Sequence, residues 1–303
     1  MTQDLTPVND TTDISGSLPF PFNQQNFCRY EPVNQSIAEA RVLVIDNLLR
    51  DERDLSPVAR EEWGELLAAE LRRERLIAGM AMENILSNIS RLVKQPSTEV
   101  AHVSEVATAA KSFKPDAIVL SGTLRDFDYY KQSVLDSFGE FIRETKIPVL
   151  AICGGHQLVG LSFGARVITL DKLEQHEQRL ERTHEYQYRF IRITEPEDPI
   201  FTNINCMEPN SPARILRVWQ NHGLQLDHVP EDFTLLATAY LCRIQMMVKR
   251  AHGQLIYTVQ FHLEKSFEDW DKRRATRWEH PNESRDGRII FENFLREALI
   301  HGK

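Results

Sequence analysis

An α/β fold, with a central, mostly parallel sheet flanked by helices and a smaller antiparallel sheet added to it, is predicted for this chain on three observations. Short, wholly apolar runs read as buried strands. Amphipathic stretches with helical spacing separate those runs. In the second half the pattern changes to short alternating or β-branched segments.

Residues 1–40 are rich in Pro, Asn, Gln, Ser and Thr and have too little apolar periodicity to bury themselves, so a flexible N-terminal arm is expected. Phe20, Phe22, Phe27 and Tyr30 are its candidate anchors to a surface. The run "RVLVIDN", 41–47, is the first expected strand. Ser56-Pro57 suits a helix start, and Trp63, Leu66, Leu67 and Leu71 follow at helical spacing. A second helix is expected from Met80 to Val93. "KPDAIVLSG", 114–122, is a strand and turn; 126–146 is an amphipathic helix; "IPVLAIC", 147–153, is a strand running into helical "GGHQLVGLSFGA". Strands alternating with helices imply right-handed crossovers and a parallel sheet. Later segments such as "YQYRFIRIT", "FTLLATA" and "QLIYTVQFH" add sheet that is partly antiparallel, and "GRIIFENFLREAL" closes the chain as a helix. The expected organisation is the arm (1–40) and one domain (41–303), with a helical insertion at about 57–95 and a loop insertion at about 265–287.

Composition narrows the function classes. A chain of 303 residues with 42% hydrophobic residues can bury a core without disulfides or metals. The net charge of −8, with no dense Lys/Arg run, argues against a nucleic-acid or membrane partner. Cys28, Cys153, Cys206 and Cys242 form no CxxC pair, which disfavours a zinc or redox motif and fits reduced thiols in a cytoplasmic protein. The N-terminus has no signal-peptide pattern, and no apolar run reaches membrane-spanning length.

The strongest chemical signal is Ala151-Ile152-Cys153-Gly154-Gly155. A strand ending at a nucleophile and turning at once into a helix is a nucleophile elbow. Its sharp turn needs small residues two before and two after, and Ala151 and Gly155 supply them. The thiol then meets the positive end of a helix, and the Gly154 N–H is placed to stabilise an oxyanion. On this pentapeptide alone, an inert core thiol is the competing reading. The second signal is "YTVQFHLE". As a strand it lifts His262 and Glu264 onto one face, where the carboxylate can orient the imidazole.

"AICGGHQLVG", "VWQNHG" and "TVQFHLE" together resemble, in this order, the three signature segments of class I glutamine amidotransferases, over roughly residues 41–300. The resemblance implies the flavodoxin-like fold of that family, glutamine as substrate, a γ-glutamyl thioester and release of ammonia, with no metal or organic cofactor. It implies Cys153 as nucleophile, His262 as base and later acid, and Glu264 as the orienting carboxylate. Gln157, Asn221, Gly223 and Leu224 would bind glutamine, and Gly122 and Gly154 would form the oxyanion hole. His222 reads as a loop-fixing side chain. The family usually has two glycines and a proline in the oxyanion turn, whereas here Thr123 and Leu124 follow Gly122. Gly154 stands where a larger residue often follows the nucleophile, and Leu263 where proline commonly separates His and Glu. The altered turn leaves two readings: an oxyanion hole already formed, or one assembled when a partner or substrate binds.

No synthetase module is visible, so a glutaminase subunit feeding ammonia to a separate synthetase is the leading expectation. The alternatives are a free-standing γ-glutamyl amide hydrolase or transferase, and a catalytically weak regulatory protein. The loop insertion, charged and carrying Trp270 and Trp278, reads equally as a lid, a docking surface or a solvated loop.

Overall fold

The structure, a computed structural model, describes residues 34–204, 212–265 and 285–301. Residues 1–33 of the expected arm (1–40), and 266–284 of the expected loop insertion (about 265–287) with both its tryptophans, lie outside these residues.

Strand β1 (Ile37–Asp46) opens the fold, with Val42 to Ile45 fully buried. Helix α1 (Pro57–Trp63) starts at the expected place: the Ser56 hydroxyl accepts a hydrogen bond from Ala59 N at 3.2 Å, and Pro57 sits in the first turn, where its missing N–H costs nothing. Gly64 ends it at φ +45°, a conformation that a side chain would strain. The helix break therefore falls at Gly64 rather than before Met80, and one long helix, α2 (Leu67–Leu92), runs through the second expected helix. Its buried Ala78, Met82, Ile85, Ile89 and Leu92 recur every three or four residues, a single stripe that favours continuity.

β2 (Val93–His102) is a strand that the sequence pattern did not reveal, because it is polar and contains Pro96. Both are tolerated at a sheet edge, and β2 pairs only with β1 among the described residues. Next come α3 (Val106–Phe113), β3 (Ala117–Leu120), α4 (Gln132–Glu144), β4 (Val149–Ile152) and α5 (Gly154–Ser162). The stretch from residue 126 becomes α-helical only at Gln132; before it, Phe127–Tyr129 form a 3-10 turn that buries Phe127 and Tyr129. The chain then forms β5 (Val167–Thr169), β6 (Glu185–Ile193), β7 (Ile215–His222), β8 (Leu224–Leu226), β9 (Phe233–Thr238), β10 (Met246–Lys249), β11 (Ile256–Val259) and α6 (Arg285–His301).

Among the described residues the main sheet has nine strands in the order β2-β1-β3-β4-β11-β10-β9-β6-β7. The first five are parallel and the rest are joined antiparallel, so most of the added strands extend the parallel sheet. A separate antiparallel pair, β5–β8, is the smaller second sheet. Alternate residues of the strands feed two cores. Val42, Val44, Val119 and Ile152 face α2 and α6, where Ile85, Ile89, Phe291 and Phe294 pack. Leu43, Ile45, Ile118 and Ala151 face α3, α4 and α5. Each fully buried Phe or Ile is worth about 1.5–3 kcal/mol over exposure.

The parallel half has the order 2-1-3-4-5 of doubly wound folds, whose ligands bind beyond the carboxyl ends of the strands. β4 lies between β3 and β11. Whatever follows these three strands therefore meets at one end of the sheet, although their sequence positions lie far apart.

Candidate active site

Cys153 follows β4 directly and takes φ +50°, ψ −107°, a sparsely populated conformation for a residue with a side chain. Neighbouring backbone holds it there. Its N–H donates to Val259 O of β11 at 2.7 Å, and its carbonyl accepts from Gln157 N at 3.1 Å, the first link of α5. A Cβ on Gly155 would lie 2.8 Å from Ser121 O, so the elbow tolerates no side chain there. Cys153, 6% exposed, is the N-cap residue of α5, whose partial positive charge favours an anion.

His262 and Glu264 reach Cys153 by a different route from the expected one. β11 ends at Val259, and the next five residues bend away from strand geometry. His262 N–H donates to Trp219 O of β7 at 2.8 Å, and Glu264 O accepts from the Asn88 side-chain amide of α2 at 2.8 Å. A turn, not a pleat, thus places the pair. His262 Nδ1 and Glu264 Oε1 are 2.7 Å apart, with both side chains largely buried. Burial opposes a charge on His262, but Glu264 and the hydrogen-bonded Cys153 outweigh it and push the imidazole up to about 10. Burial likewise opposes the Glu264 charge, and His262 reverses this, holding the carboxyl below its ordinary value. At neutral pH the imidazole is therefore a cation facing the thiol. His156, three residues after Cys153, is pushed down to about 3 by burial and by His222, and its Nδ1 faces Thr258 Oγ1 at 2.7 Å. It is neutral and committed to the core.

The turn after β3 covers the other side of the thiol. A Cβ on Gly122 would stand 3.5 Å from both Cys153 Cβ and His262 Cε1, so glycine keeps this approach open. Asn47 pins the turn, its backbone N–H donating to Ser121 Oγ at 3.0 Å and its side-chain amide to Ser121 O at 2.6 Å. Two of the departures noted in the sequence interlock. A Cβ on Gly154 would overlap Thr123 N and Oγ1 and lie 2.6 Å from Thr123 Cβ. Thr123 thus fills the space that a larger residue after Cys153 would need.

Of the expected glutamine-binding residues, Gln157 lies deepest, its side-chain amide donating to Leu224 O at 3.1 Å and to Gln260 Oε1 at 3.0 Å. Leu224 joins the site through this bond. Gly223 lies beside it, packed under Arg182 and His184. Asn221 is exposed, and its Oδ1 bonds His184 Nε2 at 3.0 Å. His222 is buried with both ring nitrogens facing acceptors: Nδ1 faces Leu224 O at 3.0 Å, and Nε2 faces Gln220 Oε1 at 2.9 Å and Glu185 at 3.1 Å. That is the geometry of a side chain that fixes its loop. Sequence reasoning passed over Gln260, whose Nε2 lies 3.7 Å from Cys153 Sγ. Its position two residues before His262 was the available signal.

The model of the family "Glutamine amidotransferase class-I" matches residues 81–277. Among curated relatives, a subunit of the glutamine-hydrolysing GMP synthase of Methanothermobacter thermautotrophicus is 28% identical over 51% of this chain and 63% of its own length. The corresponding Thermoplasma volcanium protein is 27% identical over 70% of this chain and 85% of its own. That of Pyrococcus abyssi is 33% identical over 51% and 69%. A glutamine amidotransferase structure from Thermotoga maritima superposes with TM-score 0.50 at 18% identity, covering 86% of this chain and 97% of that one. A Thermoplasma acidophilum structure, provisionally assigned as a GMP synthase subunit, gives 0.52 at 21%, covering 85% and 93%. At these identities the structures speak for the fold alone. With the family match spanning more than half of its residues, the chain belongs to the class I glutamine amidotransferases.

Proposed function

We propose that this protein hydrolyses the side-chain amide of glutamine through a thioester on Cys153 and delivers the ammonia to a separate synthetase. The observation that carries the reading is the cysteine elbow flanked by the His262–Glu264 pair on one side and by Gly122 on the other.

Cys153 Sγ, its proton already held by His262, attacks the glutamine amide carbon. The carbonyl oxygen becomes an oxyanion received by the Gly122 and Gly154 N–H groups. The C–N bond breaks as the His262 imidazolium gives its proton to the leaving nitrogen, and ammonia departs. The neutral imidazole then takes a proton from water, the hydroxide attacks the thioester, and glutamate leaves. Glu264 keeps Nδ1–H oriented and stabilises each cationic state of the imidazole. Gln157 contacts the bound glutamine, and the main chain near Asn221, Gly223 and Leu224 holds its amino-acid end. No step calls for a metal or organic cofactor.

Relatives named as subunits of a larger glutamine-hydrolysing synthase support a synthetase partner. Free thiols at Cys153 and Cys242 fit a reducing, cytoplasmic setting. The test is ammonia release from glutamine by the purified chain, beside Cys153→Ala and a panel of γ-glutamyl amines. Selective turnover of glutamine, lost in the variant, supports the glutaminase. Preference for γ-glutamyl amines replaces it with the free-standing hydrolase or transferase. Silence on all substrates, with candidate synthetases added, leaves a regulatory role.

A further inference from the structure

The turn that carries Gly122 has no proline between Ser121 and Asp126 to stiffen it. Two ionic grips hold it instead. Arg125, three residues past Gly122, donates from Nε to Glu74 Oε1 at 2.9 Å and from Nη2 to Glu70, and its guanidinium lies 5.1 Å from the Trp63 ring centre. Glu74 is fully buried, and its second oxygen accepts Leu49 N at 3.2 Å, which ties the grip to the loop after β1. On the other side, Asp126 receives both terminal nitrogens of Arg182, at 2.9 and 2.8 Å.

A fully buried carboxylate is costly unless it is paired, so Glu74 and Arg125 constrain each other strongly. A two-nitrogen contact also fixes direction as well as distance. All three partners of Arg125 come from α1 and α2, the helical stretch expected from the sequence to be an insertion. We propose that Arg125, clamped by Glu70 and Glu74, is a positioning residue that holds the Gly122 N–H where the tetrahedral oxyanion forms. The helical stretch thereby does by side chains what a rigid turn does by backbone. This inference rests on the glutaminase reading, and it assigns Arg125 no contact with substrate.

Removing an oxyanion donor outright lowers kcat by about 10²–10³. A donor left in place but loosened should lose less, about 10- to 100-fold, with KM for glutamine changed little. The experiment compares wild type, Arg125→Gln, Arg125→Lys and Glu70→Gln for kcat, KM and melting temperature. It also compares inhibition by glutamate γ-semialdehyde and by glutamate. The aldehyde adds to the Cys153 thiol and places a tetrahedral oxygen in the oxyanion position; glutamate does not. Expected is a fall in kcat matched by weaker aldehyde inhibition, with glutamate binding unchanged and Arg125→Lys intermediate.

An active wild type whose Arg125→Gln variant keeps kcat, or loses only KM, overturns the inference and leaves the glutaminase reading standing. Unfolding of all three variants also overturns it, because the clamp is then a stability device. A wild type that turns over no γ-glutamyl amide, even with candidate synthetases added, overturns the function and this inference together.

Discussion

The two flanks of Cys153 are built in different ways. On one flank, His262 and Glu264 are seated by bonds that involve backbone: Trp219 O receives the His262 N–H, and Glu264 O receives the Asn88 amide. On the other, the Gly122 turn is held mainly by side chains: Asn47 reaches it from the loop after β1, Arg125 reaches to α2, and Asp126 to the loop of Arg182. The first flank is laid down with the sheet at Trp219, and the Asn88 side chain of α2 adds one further bond. The second depends on charged and amide groups that single substitutions can remove. The His262–Glu264 pair is thus structurally more secure than the Gly122 turn, and tuning of the proposed site falls more readily on the turn.

The largest test of that contrast is at the junction. Cys153→Ala should remove turnover on glutamine, by about 10⁶-fold, while leaving the melting temperature close to wild type; ammonia release and thermal melting check it. Undiminished turnover would sink the assignment of both flanks.

Next comes Glu264→Gln, expected to cost about 10²–10⁴ in kcat, less than loss of the nucleophile. It should also change the pH profile. The His262 value is raised to about 10, so the imidazolium proposed to protonate the leaving nitrogen persists through neutral pH and is lost as pH rises through about 10. The stability this pairing adds has the same sign: it is fully present below the ordinary imidazole range and lost as pH climbs through the folded value. In Glu264→Gln the alkaline limb should move down in pH. A limb that stays in place would break the link between the carboxylate and the proton held on His262.

Gly154→Ala probes the turn flank. Its methyl group meets Thr123 backbone as well as side chain, so the turn must shift. About 1–3 kcal/mol of stability and roughly 10-fold or more in kcat should be lost, by denaturant unfolding and steady-state kinetics. The smallest effect belongs to Asn88→Ala, which frees Glu264 O and should cost about 1–3 kcal/mol but under about 10-fold in kcat. A larger kinetic loss would show that the His262 flank also leans on single side chains.

What could be read in the sequence follows the same division. The apolar runs that became β1, β3 and β4 were legible because burial on both faces writes itself into every residue of a strand. The Cys153 elbow was legible because its constraints are local. β2 was not, since a polar edge strand with a proline looks like a loop until its partner is known. The pairing of His262 with Glu264 was readable, but the reason for it was not: the strand stops at Val259, and a turn anchored on Trp219 takes over. The Arg125–Glu74 grip joins residues 51 positions apart, and no spacing rule in one chain announces such a pair.

The interlock of Thr123 with Gly154 also restricts the order in which this site can change. Enlarging residue 154 first drives the new side chain into the turn, and the intermediate protein should be impaired. Reducing Thr123 to glycine first removes the overlap with its side chain and gives the turn freedom to draw back. Only then does a larger residue at 154 become tolerable. The two positions therefore form an epistatic pair with a preferred mutational path, and libraries that vary them one at a time will undercount the functional combinations that lie beyond the first step.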